Sequence, residues 1–331
     1  MNVVEILSLL NSLHGPSGDE GQVCEKIKEL VTPYVDECTV DTLGNLIARK
    51  KGAGPKVMFS AHMDSIGMIV THIEKNGMLH VAPIGGLKAE RIVETPLRFK
   101  NGRYGTVSCD TETANPKVID LLVDIGAKDE EEAKSLVKVG DTAVYCTPTL
   151  EAGDCIISPY HDDRIACVIL IKALEQLGKS DNDLYFVFSV QEEVGLRGAK
   201  TAAYGIDPDY GIAVDVTISS DIPNKKKVGT SKLGDGAAIK IMDASVICHP
   251  KMVALMESLA TEKGIANQRD ILAAGGTDAG AIHITRSGVI SGGISIPTRY
   301  IHSPTEMANK NDIQACIDLV VAFSEAELPK V

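Results

Sequence analysis

The stretch Lys56-Val57-Met58-Phe59-Ser60-Ala61-His62-Met63-Asp64, entered through Gly54-Pro55, decides the class of the fold. Apart from Lys56 and Ser60, its first six residues are apolar, with no polar alternation. Such a run reads as a strand covered on both faces, as the inner strands of an α/β sheet are. His62 and Asp64 then fall at its carboxyl end, where sheets of this kind collect functional groups.

Working outward from there, the spacing predicts an amphipathic first helix ending near Gly15-Pro16 and a second over 20–31. Strands follow over 37–40 and 46–49, joined by a turn at Leu43-Gly44-Asn45. From about residue 70 to 152 the pattern changes to short alternating segments (78–82, 97–100, 106–109) punctuated by Gly-Gly and Asn-Gly, as in a small β-rich domain inserted into a larger one. Within it only the acidic segment 127–137 reads as helix, its glutamates on a solvated face. Beyond Pro159, strand and helix alternate: helix 165–177, strand 184–190, helix 198–204, strand 211–216, helix 250–263, strand 289–296 and helix 312–325. The expectation is a mixed, largely parallel sheet sandwiched by helices. It divides the chain into catalytic segments 1–69 and 153–331 around an inserted β-rich unit, 70–152.

Composition bounds the function. With 331 residues, 44% hydrophobic and 24% charged, the chain can bury a large core and is neither disordered nor membrane-spanning. A formal charge of -12 disfavours nucleic acid, whose binding needs clustered cations. The run Lys225-Lys226-Lys227 reads as a solvated turn after Pro223. The 8 cysteines form no CxxC pair, so they read as buried thiols in a reducing compartment. The amino-terminal segment has neither a basic n-region nor a cleavage site, and no stretch reaches the length of a membrane helix; a cytoplasmic location is expected.

Five short motifs carry ionisable groups. In His62-Met63-Asp64, residues two apart on a strand share a face, so Asp64 can orient the His62 imidazole. A satisfied buried histidine would look the same. His161-Asp162-Asp163-Arg164 opens an apolar helix, where a carboxylate could bridge two cations or simply favour the helix dipole. In Gln191-Glu192-Glu193-Val194-Gly195, adjacent side chains on extended backbone would point opposite ways, so one could ligate and the other face a reacting bond. An exposed acidic loop is the rival reading. Asp215 interrupts an apolar strand and needs a cation, a hydrogen-bond cluster or water. Tyr300-Ile301-His302-Ser303-Pro304-Thr305-Glu306 follows the last apolar strand and by itself says little. Taken together the motifs supply three carboxylates and two imidazoles, a donor set whose charge suits two divalent cations, and leave Glu192 free as a general base.

This set, in this order, resembles the M42 family of metallo-aminopeptidases, within the dinuclear clan that holds the M28 and M20 peptidases. The resemblance spans essentially the whole chain and rests on HMD, DDR, QEEVGLRGA, AVDVT, GGTDAGAI and RYIHSPTEM together. It implies that Asp162 bridges two metal ions, zinc or cobalt, with His62 and Asp215 completing one site and Glu193 and His302 the other. It implies Glu192 as proton shuttle and Asp64 as the residue that orients His62. Asp162 rather than Asp163 is chosen because the family motif tolerates Asn at the second position. The Gly275–Gly280 loop is expected near the first side chain of the substrate. Three departures stand out: His161 where relatives often carry an aromatic or large apolar residue, Ala166 where they carry glycine, and no Pro-Pro-His element in the insertion. The resemblance further implies a homo-oligomer, from dimer to dodecamer, assembled through the inserted unit.

The expected function is removal of amino-terminal residues from peptide substrates, with no nucleic-acid or membrane partner. Glycoside hydrolysis is the second enzymatic reading, since some relatives have carried an endoglucanase label. It needs two carboxyls facing across one bond rather than five metal ligands, and the chain has no Trp and 4% aromatics for stacking on sugars. A metal-dependent assembly protein without activity is the third reading, against which the spare Glu192 speaks.

Overall fold

The computed structural model describes residues 1–109, 115–223 and 228–329. The lysine run at 225–227 lies outside the described residues.

Lys56–His62 is a strand buried almost throughout, and the reason it is apolar at consecutive positions is visible in its two neighbourhoods. Val57, Phe59 and Ala61 pack into the main core, which includes the helices Val3–Asn11, Gly21–Val31, His161–Gln176, Pro250–Lys263 and Lys310–Glu325. Met58 points the other way, into a smaller core with residues of helices Arg197–Ile206 and Ala279–Ile282. The neighbouring strand Asp183–Ser189 repeats the division, Phe186 and Phe188 on one face and Tyr185 and Val187 on the other. Phe59 stacks on Phe186 at 5.2 Å between centroids.

Strands Asp183–Ser189, Lys56–His62, Tyr210–Ile218 and Ile290–Arg299 lie side by side and parallel in the middle of an eleven-stranded sheet. Antiparallel strands extend both edges: Leu46–Lys50 and Glu37–Val40 on one, Glu306–Asn309, Cys155–Ser158 and Leu150–Ala152 on the other. Ala237–Met242 joins Ile290–Arg299 and carries Asn267–Ile271 beside it. Ser189 is in register with His62, and Ser60 with Ala213. Two residues further along each strand, His62 and Asp215 therefore emerge side by side at the carboxyl edge.

A second body is a closed barrel of Gly67–Ile73, Leu79–Ile84, Leu122–Asp124, Tyr104–Ser108, Pro96–Phe99 and Thr142–Tyr145, with a core of its own. The acidic helix is Glu130–Leu136, started by Asp129, whose side chain accepts the Glu132 N–H at 2.9 Å.

Some boundaries differ from the periodicity. The first helix stops at Asn11, and the segment that follows pairs with the chain just beyond strand Lys56–His62, Pro16 bridging to Ser65. The short strands Cys155–Ser158 and Glu306–Asn309 were not expected; they are four residues each, too short to show a period. No helix among the described residues is long and apolar enough to cross a membrane.

Candidate metal centre

The motif residues converge at the carboxyl edge of the parallel strands. Ligand atoms of His62, Asp162 and Asp215 lie within 4.8 Å of one another, and so do those of Asp162, Glu193 and His302, so Asp162 belongs to both sets. His62 Nε2 is 3.0 Å from Asp162 Oδ1, and His302 Nε2 is 3.1 Å from Asp162 Oδ2 and 3.3 Å from Glu193 Oε2. Glu192 belongs to neither set; its Oε2 stands 3.8 Å from His62 Nε2, on the wall of the same cavity.

Each residue is held from behind. Asp162 and Asp163 open the helix His161–Gln176 with non-helical backbone angles, after Tyr160 at φ 60°. Glu306, fully buried, accepts the N–H of Asp162 at 2.9 Å and that of His302 at 2.8 Å, tying two distant motifs to one carboxylate. Asp163 faces away from the cavity and accepts the His62 N–H at 3.2 Å. Arg164, also buried, donates to the carbonyls of Leu10 and Gly15 and lies over the Tyr160 ring at 5.0 Å.

Asp64 does more than the strand spacing foretold. The strand ends at His62, and the His62 Nδ1–H is taken mainly by the Asp64 backbone carbonyl at 3.1 Å, with Asp64 Oδ1 at 3.5 Å. The Asp64 carboxylate instead accepts the N–H groups of Glu192 and Glu193, at 3.0 and 3.3 Å, and the Ser17 hydroxyl at 2.6 Å. The Glu192-Glu193 segment is correspondingly a turn and not extended backbone: Gln191 has φ 55°, and the Gly195 and Leu196 N–H groups donate back to the Glu192 carbonyl. The two carboxylates diverge because the chain turns between them, not because a strand alternates.

His302 is oriented by the barrel. Its Nδ1–H goes to the Gly86 carbonyl at 2.9 Å, and a Cβ at Gly86 would come within 2.7 Å of that nitrogen. A side chain is excluded there by contact.

The donor set passes a chemical test for cations. Backbone carbonyls only accept, so both imidazoles must carry hydrogen on Nδ1, and in their neutral forms each Nε2 turns a lone pair toward a carboxylate oxygen about 3 Å away. Lone pair against lone pair is unfavourable unless a positive charge lies between. The electrostatics of the residues make the same demand. Burial opposes charge on His62, yet Glu192, Asp162 and Asp64 hold its pKa well above the ordinary value. His302 is pushed up to about 12, burial being outweighed by Asp162 and Glu193. Burial, reinforced by nearby carboxylates, raises Glu192, Asp215 and Glu193. At Asp162 burial is overcome by His302 and His62, and its carboxyl lies below the usual range. Glu193 Oε1 is buried without a hydrogen-bond partner among the described residues. The residues fit divalent cations.

The departures beside Asp162 are quiet. His161 is wholly buried, gives Nε2–H to the Ile156 carbonyl at 3.1 Å, and burial lowers its pKa to about 4, so it packs as a neutral ring outside both ligand sets. Ala166 is a buried helix residue in the main core. Asp278 of the Gly-Gly-Thr-Asp loop is an anchor rather than a cavity residue: the Ser60 and Ser189 hydroxyls both donate to its Oδ2 at 2.6 Å, while Gly275, Gly276 and Thr277 line the cavity. Glu306, Gly86 and Asp278 were not singled out as site residues from the sequence. Glu306 lies in the fifth motif and Asp278 in the Gly275–Gly280 loop, but neither was given a role there, and Gly86 is marked only by neighbouring turn residues, which are too common to be informative.

The family model described as M42 glutamyl aminopeptidase matches residues 44–319. A lysyl aminopeptidase of Pyrococcus furiosus is 36% identical over 341 residues, covering 98% of this chain and 97% of that one. The structure of an aminopeptidase from the archaeon Desulfurococcus kamchatkensis superposes with a TM-score of 0.94 at 40% identity, over 98% of this chain and 95% of that one. The TET1 peptidase of Pyrococcus horikoshii, which can assemble into a tetrahedron or a large octahedral shell, gives a TM-score of 0.88 at 29% identity, over 98% and 99%.

Proposed function

The chain belongs to the M42 glutamyl aminopeptidase family and is a metal-dependent aminopeptidase, and from that premise we propose that Asp162 is shared by two divalent ions while Glu192 moves the proton. The observation that carries this reading is the pair of ligand sets with Asp162 in common and one carboxylate, Glu192, left over beside them. His62 and Asp215 hold one ion, and Glu193 and His302 the other. Zinc or cobalt suits a set that mixes imidazole nitrogen with carboxylate oxygen. When bound, such ions polarise the scissile carbonyl and acidify water. Glu192 takes the proton of the attacking water and returns it to the leaving amine; Asp64, through the Glu192 and Glu193 N–H groups, keeps the two glutamates apart in their separate tasks. The substrates are peptides with a free amino terminus.

We propose that the barrel, whose strands run over 67–145, corresponds to the inserted unit expected over 70–152 between catalytic segments 1–69 and 153–331, the strand Leu150–Ala152 joining the large sheet instead, and we assign to the barrel the contacts of a homo-oligomer, between dimer and dodecamer. The shell-forming relative from Pyrococcus horikoshii supports that assignment. A cytoplasmic site of action fits the free thiols and the lack of a membrane-crossing helix among the described residues. The glycosidase and non-catalytic readings fall away with the family.

The test is Glu192→Gln in protein reloaded with zinc or cobalt. Elemental analysis is expected to find two ions per chain, as in the unaltered protein, while hydrolysis of aminoacyl p-nitroanilides drops roughly 10³-fold or more. Turnover near that of the unaltered protein removes Glu192 from the role, and one ion per chain removes the paired site.

A further inference from the structure

The turn that carries Glu192 and Glu193 has open space on two sides. Its residues 191–195 are half-buried or exposed throughout. Glu192 and Glu193 line the cavity of about 650 Å³ that holds the ligand cluster, whereas Gln191 and Val194 line a second cavity, of about 770 Å³, with Ile84 and Thr142 of the barrel. Where packing is that sparse, the aim of the Glu192 carboxylate depends on the hydrogen bonds that hold the backbone of the turn.

Three successive N–H groups supply that hold, and two buried carboxylates accept them. Glu192 and Glu193 donate to Asp64, and Gln191 donates to Glu20 Oε1 at 3.2 Å. Gln191 is the residue at φ 55°, a left-handed angle that a side chain makes unfavourable and that bonds must therefore sustain. On its other side Gln191 is tied to Arg197, whose backbone N–H and Nη1 donate to the Gln191 carbonyl and Oε1 at 3.2 and 3.1 Å. Those bonds join the turn to the helix it leads into, while the bond to Glu20 joins it to a segment 171 residues away.

Glu20 is 7% exposed and opens the helix Gly21–Val31 at its N-cap, where an acidic side chain would ordinarily serve the first-turn N–H groups. Its side chain turns the other way, and Oε1 takes the Gly18 N–H at 2.7 Å together with that of Gln191. The loop it leaves is anchored too: the Ser17 hydroxyl donates to Asp64 at 2.6 Å and the Ser17 N–H to the Ser65 carbonyl at 3.2 Å. One loop thus supports both carboxylates behind the turn.

Resting on the proposed role of Glu192, we infer that Glu20 is a positioning residue for the reaction, holding through the Gln191 N–H the turn that aims the Glu192 carboxylate at the attacking water. The role asks for an acceptor at that place and not for a charge, so an amide oxygen of the same reach can fill it.

The test compares Glu20→Ala, Glu20→Asp and Glu20→Gln in the full chain reloaded with zinc or cobalt, on the aminoacyl p-nitroanilide that the unaltered protein hydrolyses fastest. Glu20→Ala is expected to keep both ions by elemental analysis and KM within about twofold, while kcat falls about 10–100-fold, the scale on which a small misplacement of a catalytic group acts. Glu20→Asp, charged but one methylene too short, is expected to lose kcat about tenfold, and Glu20→Gln to stay within about threefold of the unaltered protein. Amide exchange over 191–193, read by mass spectrometry, is expected to quicken on the order of tenfold in Glu20→Ala and to stay unchanged in Glu20→Gln. An unchanged kcat in Glu20→Ala, loss of an ion there, or a kcat kept by Glu20→Asp and lost by Glu20→Gln overturns the inference. Full turnover by Glu192→Gln sinks the proposed proton transfer instead, and the exchange rates then still report whether Glu20 holds the turn.

Discussion

His62 and His302 face the same aspartate from opposite sides, at 3.0 and 3.1 Å, yet their side chains are 2% and 26% exposed. The His62 side is made within one sheet. His62 and Asp215 leave neighbouring parallel strands at the same level, and the Nδ1–H of His62 is satisfied two residues along its own chain. The His302 side is assembled across the molecule. Glu193 sits on a turn held by Asp64, His302 has φ 62° and leans on a barrel carbonyl, and Glu306 pins it to the helix start. A pair of ligands from adjacent strands is as rigid as the sheet, whereas one that depends on a second body is open to adjustment through that body.

The largest break removes what the two sides share. Asp162→Ala should abolish binding of both ions and lower kcat/KM by about 10⁴-fold or more, read by elemental analysis and p-nitroanilide hydrolysis. Retention of one ion with most of the activity would contradict a shared aspartate.

The next break falls on one side alone. Gly86→Val pushes against His302 Nδ1 without touching His62, so one ion is expected to bind roughly 10–100-fold more weakly and the other unchanged. Chelator competition should turn biphasic; equal weakening of both ions would mean that the sides are not independent.

A third measurement probes the junction of the two bodies by pH. His14 is 2% exposed and its Nε2 pairs with Thr142 Oγ1 of the barrel at 2.8 Å. Burial, only partly opposed by Asp19, lowers its pKa from 6.5 to about 4. Well above pH 6.5 the imidazole is neutral folded or unfolded and contributes no slope. As pH falls from about 7 toward 4 the unfolded chain takes a proton that the folded chain refuses, so stability is lost across that window, on the order of 3 kcal/mol. His14→Gln is expected to flatten that part of a urea-denaturation series against pH, and an unchanged slope would remove His14 as the cause.

The smallest effect sharpens the choice between adjacent aspartates. Asp163 serves the His62 N–H with one oxygen, which an amide oxygen can replace, so Asp163→Asn should keep both ions and activity within about threefold. A collapse as deep as that of Asp162→Ala would transfer the bridging role.

The unequal construction of the two sides also governs how much could be read from the residues. His62 and Asp215 were legible because a charged or polar residue at the end of an apolar strand is conspicuous. The parallel sheet was legible because consecutive apolar residues need cover on both faces, which Phe59 and Met58 find in different cores. Glu192 and Glu193 were legible as a pair, but the reason given for their divergence was wrong, since it assumed a strand where Gln191 turns the chain. Glu306 was quoted in its motif but given no role, because although it accepts the nearby His302 N–H, its other partner, the Asp162 N–H, is 144 residues away and nothing local marks that contact. Closure of the barrel was equally hidden: alternation marks short strands but not which strand meets which.

By itself the sequence determined the chemistry available and the strands that deliver it, because local periodicity and a charge set among apolar residues are one-dimensional signals. The tertiary structure alone decided the shared position of Asp162, the turn that separates the two glutamates, the carbonyl of Gly86 behind His302 and the pairing of Lys240 with Asp270. Each of those is a hydrogen bond or a distance between residues far apart along the chain, and such contacts come into being only when packing brings their backbones together.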